Sequence, residues 1–190
     1  MKLAILDRIG NLRRDGEESL VPLQEWHLQP GASEAIAQLT RSGWHVVIAA
    51  NQPGLGRGSF DVMEFNAQHQ RAQRELVAEG GRIEAFFFCP HMPDEGCGCR
   101  KPAPGLLQQI AMRYGAEPHE VWVIGQSASH IQAGLAFGAH VLCMQLDAAA
   151  QAELASLAHL AHDGIYSSWA AMADALAPEA VSAPPPAAAS

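Results

Sequence analysis

"VWVIGQSASHIQAGLAFG", residues 121–138, is the stretch that decides the fold. Val121 to Ile124 make an apolar run of strand length, and residues 127–138 then place apolar side chains at helical spacing and stop at Gly138. A second apolar run, "HVLCMQL" (140–146), follows at once. Two strands joined through a helix lie parallel, because the crossover returns the chain to the same end of the sheet. The alternation extends toward the N-terminus through "LAIL" (3–6), "HVVIAA" (45–50) and "IEAFFF" (83–88), so the pattern predicts five buried strands. The intervening helical segments are "ASEAIAQLTRSG" ending in Gly43, a helix capped by Asp61 that runs to about Glu79, and "PGLLQQIAMRYG" from Pro104 to Gly115. Residues 148–177 add helical pattern around a short "GIYS". The whole reads as a doubly wound parallel α/β domain whose crevice lies beyond the carboxyl ends of its strands.

A chain of 190 residues with 48 % hydrophobic and 17 % charged residues suits one globular domain, over residues 1–177. From residue 178 the sequence is rich in proline, alanine and serine and has no apolar period, and it is expected to be a disordered tail. Twenty acidic against 12 basic groups leave a net charge of −8, which offers no broad basic field to nucleic acid or to an anionic membrane. An anionic ligand would have to meet a local cluster of cations. No apolar run reaches the roughly 18 residues of a membrane span, and the N-terminus enters a strand directly, so the expected compartment is the cytoplasm.

Three of the four cysteines crowd into "CPHMPDEGCGC", which supplies Cys89, His91, Cys97 and Cys99 within residues 89–99. In a reducing compartment such crowding points to metal more than to disulfides, and three thiolates with one imidazole suit tetrahedral zinc. All four positions would be filled by protein, so the zinc would be structural. Arg100 and Lys101 leave this loop directly, where a pinned backbone could hold two cations against a phosphate.

Asp7 after the first strand, "NQPGLGRGSF" after the second, "CPHMPDEGCGCRKPAPG" after the third and "VIGQSASHIQAGLAFG" around the fourth together resemble the haloacid dehalogenase (HAD) superfamily. Within it they resemble the histidinol-phosphatase and D-glycero-D-manno-heptose 1,7-bisphosphate 7-phosphatase branch, over about residues 1–146. The resemblance implies a HAD-like fold without a large cap domain, a sugar-phosphate ligand, magnesium, and hydrolysis through an aspartyl phosphate. It assigns Asp7 as nucleophile, Lys101 as the lysine bridging nucleophile and phosphate, Arg100 as a phosphate contact and Asn51 as a substrate-binding position. Arg57, among glycines 54, 56 and 58 of a turn, is a candidate for the distal part of a substrate, with a generic flexible loop as the alternative.

Four positions depart from the family pattern. Ile9 stands where a second aspartate would protonate the leaving alcohol and later activate water, although it keeps the backbone carbonyl that the family offers to magnesium. Ala50 replaces a hydroxyl donor, and Gln126 and His130 replace aspartates that hold magnesium, a cation that favours anionic oxygens. Losing an acid–base group costs about 10²- to 10⁴-fold in rate. The sequence therefore predicts a phosphatase-like protein with impaired or absent catalysis that retains sugar-phosphate binding and has a degraded magnesium site. Two alternatives stay open: an active sugar-phosphate phosphatase acting through Asp7, and a protein-interaction module with a vestigial pocket and an unknown partner.

Overall fold

The computed structural model describes residues 1–11, 22–157, 159–160 and 162–178. Apart from Pro178, the expected tail lies outside the described residues. Six parallel strands form one sheet, ordered β3-β2-β1-β4-β5-β6: β1 (Leu3–Leu6), β2 (His45–Asn51), β3 (Ala85–Cys89), β4 (Val121–Gly125), β5 (His140–Met144) and β6 (Gly164–Tyr166). The helices are α1 (Ala32–Arg41), α2 (Pro53–Arg57), α3 (Val62–Ala78), α4 (Gly105–Tyr114), α5 (Ala128–Phe137), α6 (Ala148–Ala155) and α7 (Trp169–Leu176).

The period-2 alternation of β1 divides its side chains between two cores. Ala4 and Leu6 pack with Ile36 and Leu39 of α1, Ala72 and Leu76 of α3, and Trp169 and Met172 of α7. Leu3 and Ile5 pack with Leu106 and Ile110 of α4, Ile131 of α5 and Leu154 of α6. Helices on both faces explain why the central strands read as continuous apolar runs. The caps follow the sequence: the Asp61 side chain accepts from the Met63 N–H at the start of α3, and Gly138, with φ of 83°, ends α5 in a backbone state that a side chain would strain.

Three expectations are corrected. "IEAFFF" is not a buried strand: among the described residues β3 pairs with β2 alone, and Phe88 is 40 % exposed. "GIYS" contains a sixth strand that pairs with β5 from Leu142 to Met144, a contact too short to announce itself by periodicity. Gly54 and Gly56 lie in the short helix α2 instead of an open turn, with Gly58 ending it.

After β3 the chain crosses to the far side of β1 to make β4. In doubly wound sheets such a reversal of strand order marks the binding crevice, which places it here at the carboxyl ends of β1 and β4, directly followed by Asp7 and Gln126.

Candidate functional site

Asp7 continues the β1–β4 ladder by one bond, its N–H donating to the Ile124 carbonyl at 3.1 Å. The residue is 5 % exposed and its side chain is fully engaged. Oδ1 accepts from Lys101 Nζ at 2.8 Å, and Oδ2 accepts from the Ser127 N–H at 3.2 Å and from its hydroxyl at 2.5 Å. Burial, the largest single influence, would push the carboxyl upward, but the positive groups around it, the Lys101 ammonium first among them, together with the Lys101 hydrogen bond outweigh it and hold Asp7 well below the usual carboxylate range. Asp7 is an ionised carboxylate at neutral pH.

The Lys101 side chain is 0 % exposed. An ammonium has three protons, and three acceptors surround this one: Asp7 Oδ1, the Ala49 carbonyl at 2.8 Å and His130 Nδ1 at 3.1 Å. Its backbone is clamped by Asn51, whose Oδ1 accepts from the Lys101 N–H and whose Nδ2 donates to the Lys101 carbonyl, both at 3.0 Å. Asn51, expected as a substrate-binding position, here orients Lys101 through these bonds of its amide.

His130 is 0 % exposed. Because Nδ1 faces an ammonium it must accept, which leaves the proton on Nε2, 3.2 Å from the Ile5 carbonyl. Burial and then the Lys101 ammonium depress its pKa to about 4, so the ring is neutral at pH 7. Gly125 makes room for it. A Cβ there would stand 2.6 Å from His130 Cδ2 and 3.0 Å from Asp7 Cβ.

The other departures are also absorbed into the fold. Ile9, 3 % exposed, belongs to the same apolar cluster as Leu6 and Trp26, and Ala50 packs against that cluster. The Ile9 carbonyl accepts from the Gln29 N–H at 2.7 Å. Gln126 and Gln29 exchange side-chain amide bonds of 3.0 and 3.2 Å, and Gln29 Oε1 also accepts from the Trp169 indole at 3.3 Å. Residues 25–29 form a strap beside the Asp7 loop. Gly10 bridges to Leu28, Asn11 exchanges bonds with His27, and a Cβ on Gly10 would meet Trp26 Nε1 at 2.5 Å. Gln29, Trp26 and the Ser127 contact were not predicted. Nothing local signals them, since Gln29 and Gln126 are 97 residues apart and Ser127 and Asp7 are 120 apart.

These groups do not fit magnesium, which takes an octahedral set of hard oxygens. Asp7 is the one carboxylate among them, and both its oxygens are bonded to Lys101 and Ser127. The Gln126 and Ile9 oxygens are bonded to Gln29, and the His130 nitrogens face an ammonium and a carbonyl.

The Cys/His loop differs. One ligand atom from each of Cys89, His91, Cys97 and Cys99 lies within 4.8 Å of the others. Cys89 Sγ is 3.6 Å from Cys97 Sγ, 3.2 Å from Cys99 Sγ and 3.4 Å from His91 Nδ1. Tetrahedral zinc, with bonds of about 2.3 Å to sulfur and about 2.0 Å to nitrogen, sets such atoms about 3.5–3.8 Å apart, so the cluster fits that ion. All four cysteines are free thiols. Arg100 Nη1 donates to the His91 carbonyl at 3.2 Å, and Arg57 Nη2 lies 3.3 Å from Met92 Sδ. Arg100, expected as a phosphate contact, and Arg57, the candidate for the distal part of a substrate, therefore both have a contact with this loop.

Residues 98–171 match the HAD-hydrolase-like family. The chain is 43 % identical over 139 residues to the D-glycero-beta-D-manno-heptose-1,7-bisphosphate 7-phosphatase of Pseudomonas putida, covering 73 % of this chain and 79 % of that protein. Identity to the protein of the same name from Bordetella bronchiseptica is 45 % over 138 residues, covering 73 % and 77 %. A crystal structure of D,D-heptose 1,7-bisphosphate phosphatase from B. bronchiseptica, complexed with magnesium and phosphate, superposes with a TM-score of 0.85. It is 38 % identical, over 95 % of this chain and 100 % of that one.

Proposed function

This chain belongs to the HAD-like family of heptose-1,7-bisphosphate 7-phosphatases, and from that premise we propose that its crevice binds a sugar phosphate of the heptose bisphosphate kind and hydrolyses it through Asp7. The observation that carries this reading is the ionised Asp7 carboxylate at the strand switch, 2.8 Å from the buried Lys101 ammonium. In the reaction a carboxylate oxygen attacks phosphorus, the bond from phosphorus to the ester oxygen breaks, and water then cleaves the aspartyl phosphate. Asp7 must exchange a hydrogen bond to attack, and Lys101 must exchange one of its three to meet a phosphate oxygen. Ile9 supplies no proton to the leaving oxygen and Ala50 no hydroxyl. Turnover should therefore fall about 10²- to 10⁴-fold below that of relatives with a carboxylate at the acid–base position.

A second reading, retained sugar-phosphate binding without turnover, is favoured by a specific observation. Ile9 is packed in the core, and Gln126 and His130 are bonded to other residues of the chain. Hydrolysis of heptose 1,7-bisphosphate and of a generic phosphomonoester, with the Asp7→Asn variant as control, separates the two. We expect slow turnover above the control. Turnover equal to it, with saturable phosphate binding lost in Lys101→Ala, would establish the second reading.

For the loop we propose structural zinc on Cys89, His91, Cys97 and Cys99. Zinc there would supply no reaction chemistry, since four protein ligands leave no position for water; it would fix the backbone that leads into Lys101. Metal analysis of protein purified without added metal should give about one equivalent of zinc per chain. No helix among the described residues is long and apolar enough to cross a membrane. Four free thiols agree with a cytoplasmic location.

A further inference from the structure

We infer that the Lys101 ammonium, seated by His130, is the resident counter-charge of Asp7, and that the crevice takes an oxyanion such as phosphate without a divalent cation. The magnesium and NMR tests below stand independently of the proposed sugar-phosphate activity; only the oxyanion clause rests on it.

Charge balance comes first. Asp7 contributes one negative charge, Lys101 one positive charge and His130 none, so the buried cluster is neutral as it stands. A divalent cation added here would face an ammonium 2.8 Å from the carboxylate it needs, and among the described residues the hydrogen-bonded cluster holds no second carboxylate to offset it.

The second argument is the seat itself. A buried ammonium is tolerated when each proton has an acceptor, and Lys101 has a carboxylate, a carbonyl and an imidazole nitrogen. His130 completes that set as a neutral acceptor, its own proton anchored on Ile5 and its ring admitted by the missing side chain at Gly125. An aspartate in its place would return a negative charge to the cluster and make room, electrostatically, for a cation. His130 is thus a positioning residue that acts through Lys101. Gln126 works in the same direction: its amide is satisfied by Gln29, so it adds neither charge nor a waiting oxygen.

Titration calorimetry of magnesium chloride into the full-length chain is the direct test. The wild type should show no saturable binding, and a Gln126→Asp/His130→Asp variant should gain it. Saturable magnesium binding by the wild type that disappears in Asp7→Asn would overturn the inference without any appeal to substrate. Phosphate affinity measured with and without magnesium should agree within about twofold, whereas tightening by tenfold or more on adding magnesium would also overturn it. Absence of phosphate binding in both conditions would sink the oxyanion clause together with the proposed activity, leaving the counter-charge to the other measurements.

The positioning role has its own readout. The nitrogen-15 NMR signal of a buried, bonded ammonium is protected from exchange with water. That of Lys101 should be visible in the wild type and in His130→Asn, whose side-chain oxygen stands in for Nδ1, and lost in His130→Leu. A signal unchanged in His130→Leu would remove His130 from the account.

Discussion

Two regions meet at the carboxyl end of this sheet and treat charge in opposite ways. The loop from Cys89 to Cys99 gathers four ligand atoms with no cation of its own among them, a set that suits a metal. The Asp7 crevice, one residue beyond Arg100, gathers a carboxylate, an ammonium and a neutral imidazole that satisfy one another. The first region is complete once an ion arrives; the second is complete without one. The contrast shows that a fold can keep the element that positions a lysine while changing what the lysine is positioned against.

The largest expected effect comes from the loop. Stripping the metal with a chelator, or the variant Cys97→Ala, should release the segment leading to Lys101 and cost about 5 kcal/mol or more, lowering Tm by about 10 °C or more by calorimetry. Chelation that leaves Tm unchanged would erase the distinction between the two regions.

Next is the buried pair. Lys101→Met leaves the Asp7 carboxylate without its counter-charge and should cost about 3–5 kcal/mol in urea denaturation. Adding Asp7→Asn should recover part of that loss, because the uncompensated charge is gone. A double variant less stable than Lys101→Met would mean that the pair is not the unit described.

Ile9→Asp tests whether the departure from the family is a packing commitment. A carboxyl group placed in the cluster of Leu6 and Trp26 should cost about 2–4 kcal/mol, read from the denaturation midpoint. A neutral result would show that position 9 can open toward the crevice, and the restored acid should then raise phosphatase turnover.

The smallest effect separates the crevice from the exposed edge of the sheet. His69 on α3 stacks on Phe86 with centroids 3.9 Å apart, and burial lowers its pKa to about 4. A depressed histidine pKa means that the folded state binds the proton less readily than the unfolded chain. Its contribution is therefore fully present above about pH 6.5 and is lost as pH falls through about 4. His130 has the same sign and the same window. His69→Phe should flatten the acid limb of the stability–pH curve by about 1 kcal/mol, a figure reduced for partial exposure, and leave the His130 part in place.

Much of this was legible in the residues. The five apolar runs appear as strands, although every one but β1 shifts a bound by a residue or two and β3 lies at an edge. The four loop ligands converge as their spacing implied, and Asp7, Asn51, Lys101 and His130 meet in one crevice. The strap at residues 25–29, the sixth strand and the Ser127 bond to Asp7 were not legible, because each depends on a partner far away in the chain. The arginines show the same limit from the other side. Arg57 and Arg100 read as cations for a substrate, yet Arg100 donates to the His91 carbonyl and Arg57 lies against Met92.

The amino-acid sequence by itself determined the strand and helix periods, the parallel sheet they imply, the Cys/His set that could hold a metal and the four residues that break the family pattern. These are properties of residue type and local spacing. Tertiary structure alone decided that Ile9 belongs to the core, that Gln126 is spent on Gln29, and that Lys101 finds three acceptors contributed by the residue after β1, by β2 and by α5. The reason is physical: a buried polar group must be satisfied by whatever the fold brings within about 3 Å of it, and that neighbour is not adjacent in sequence.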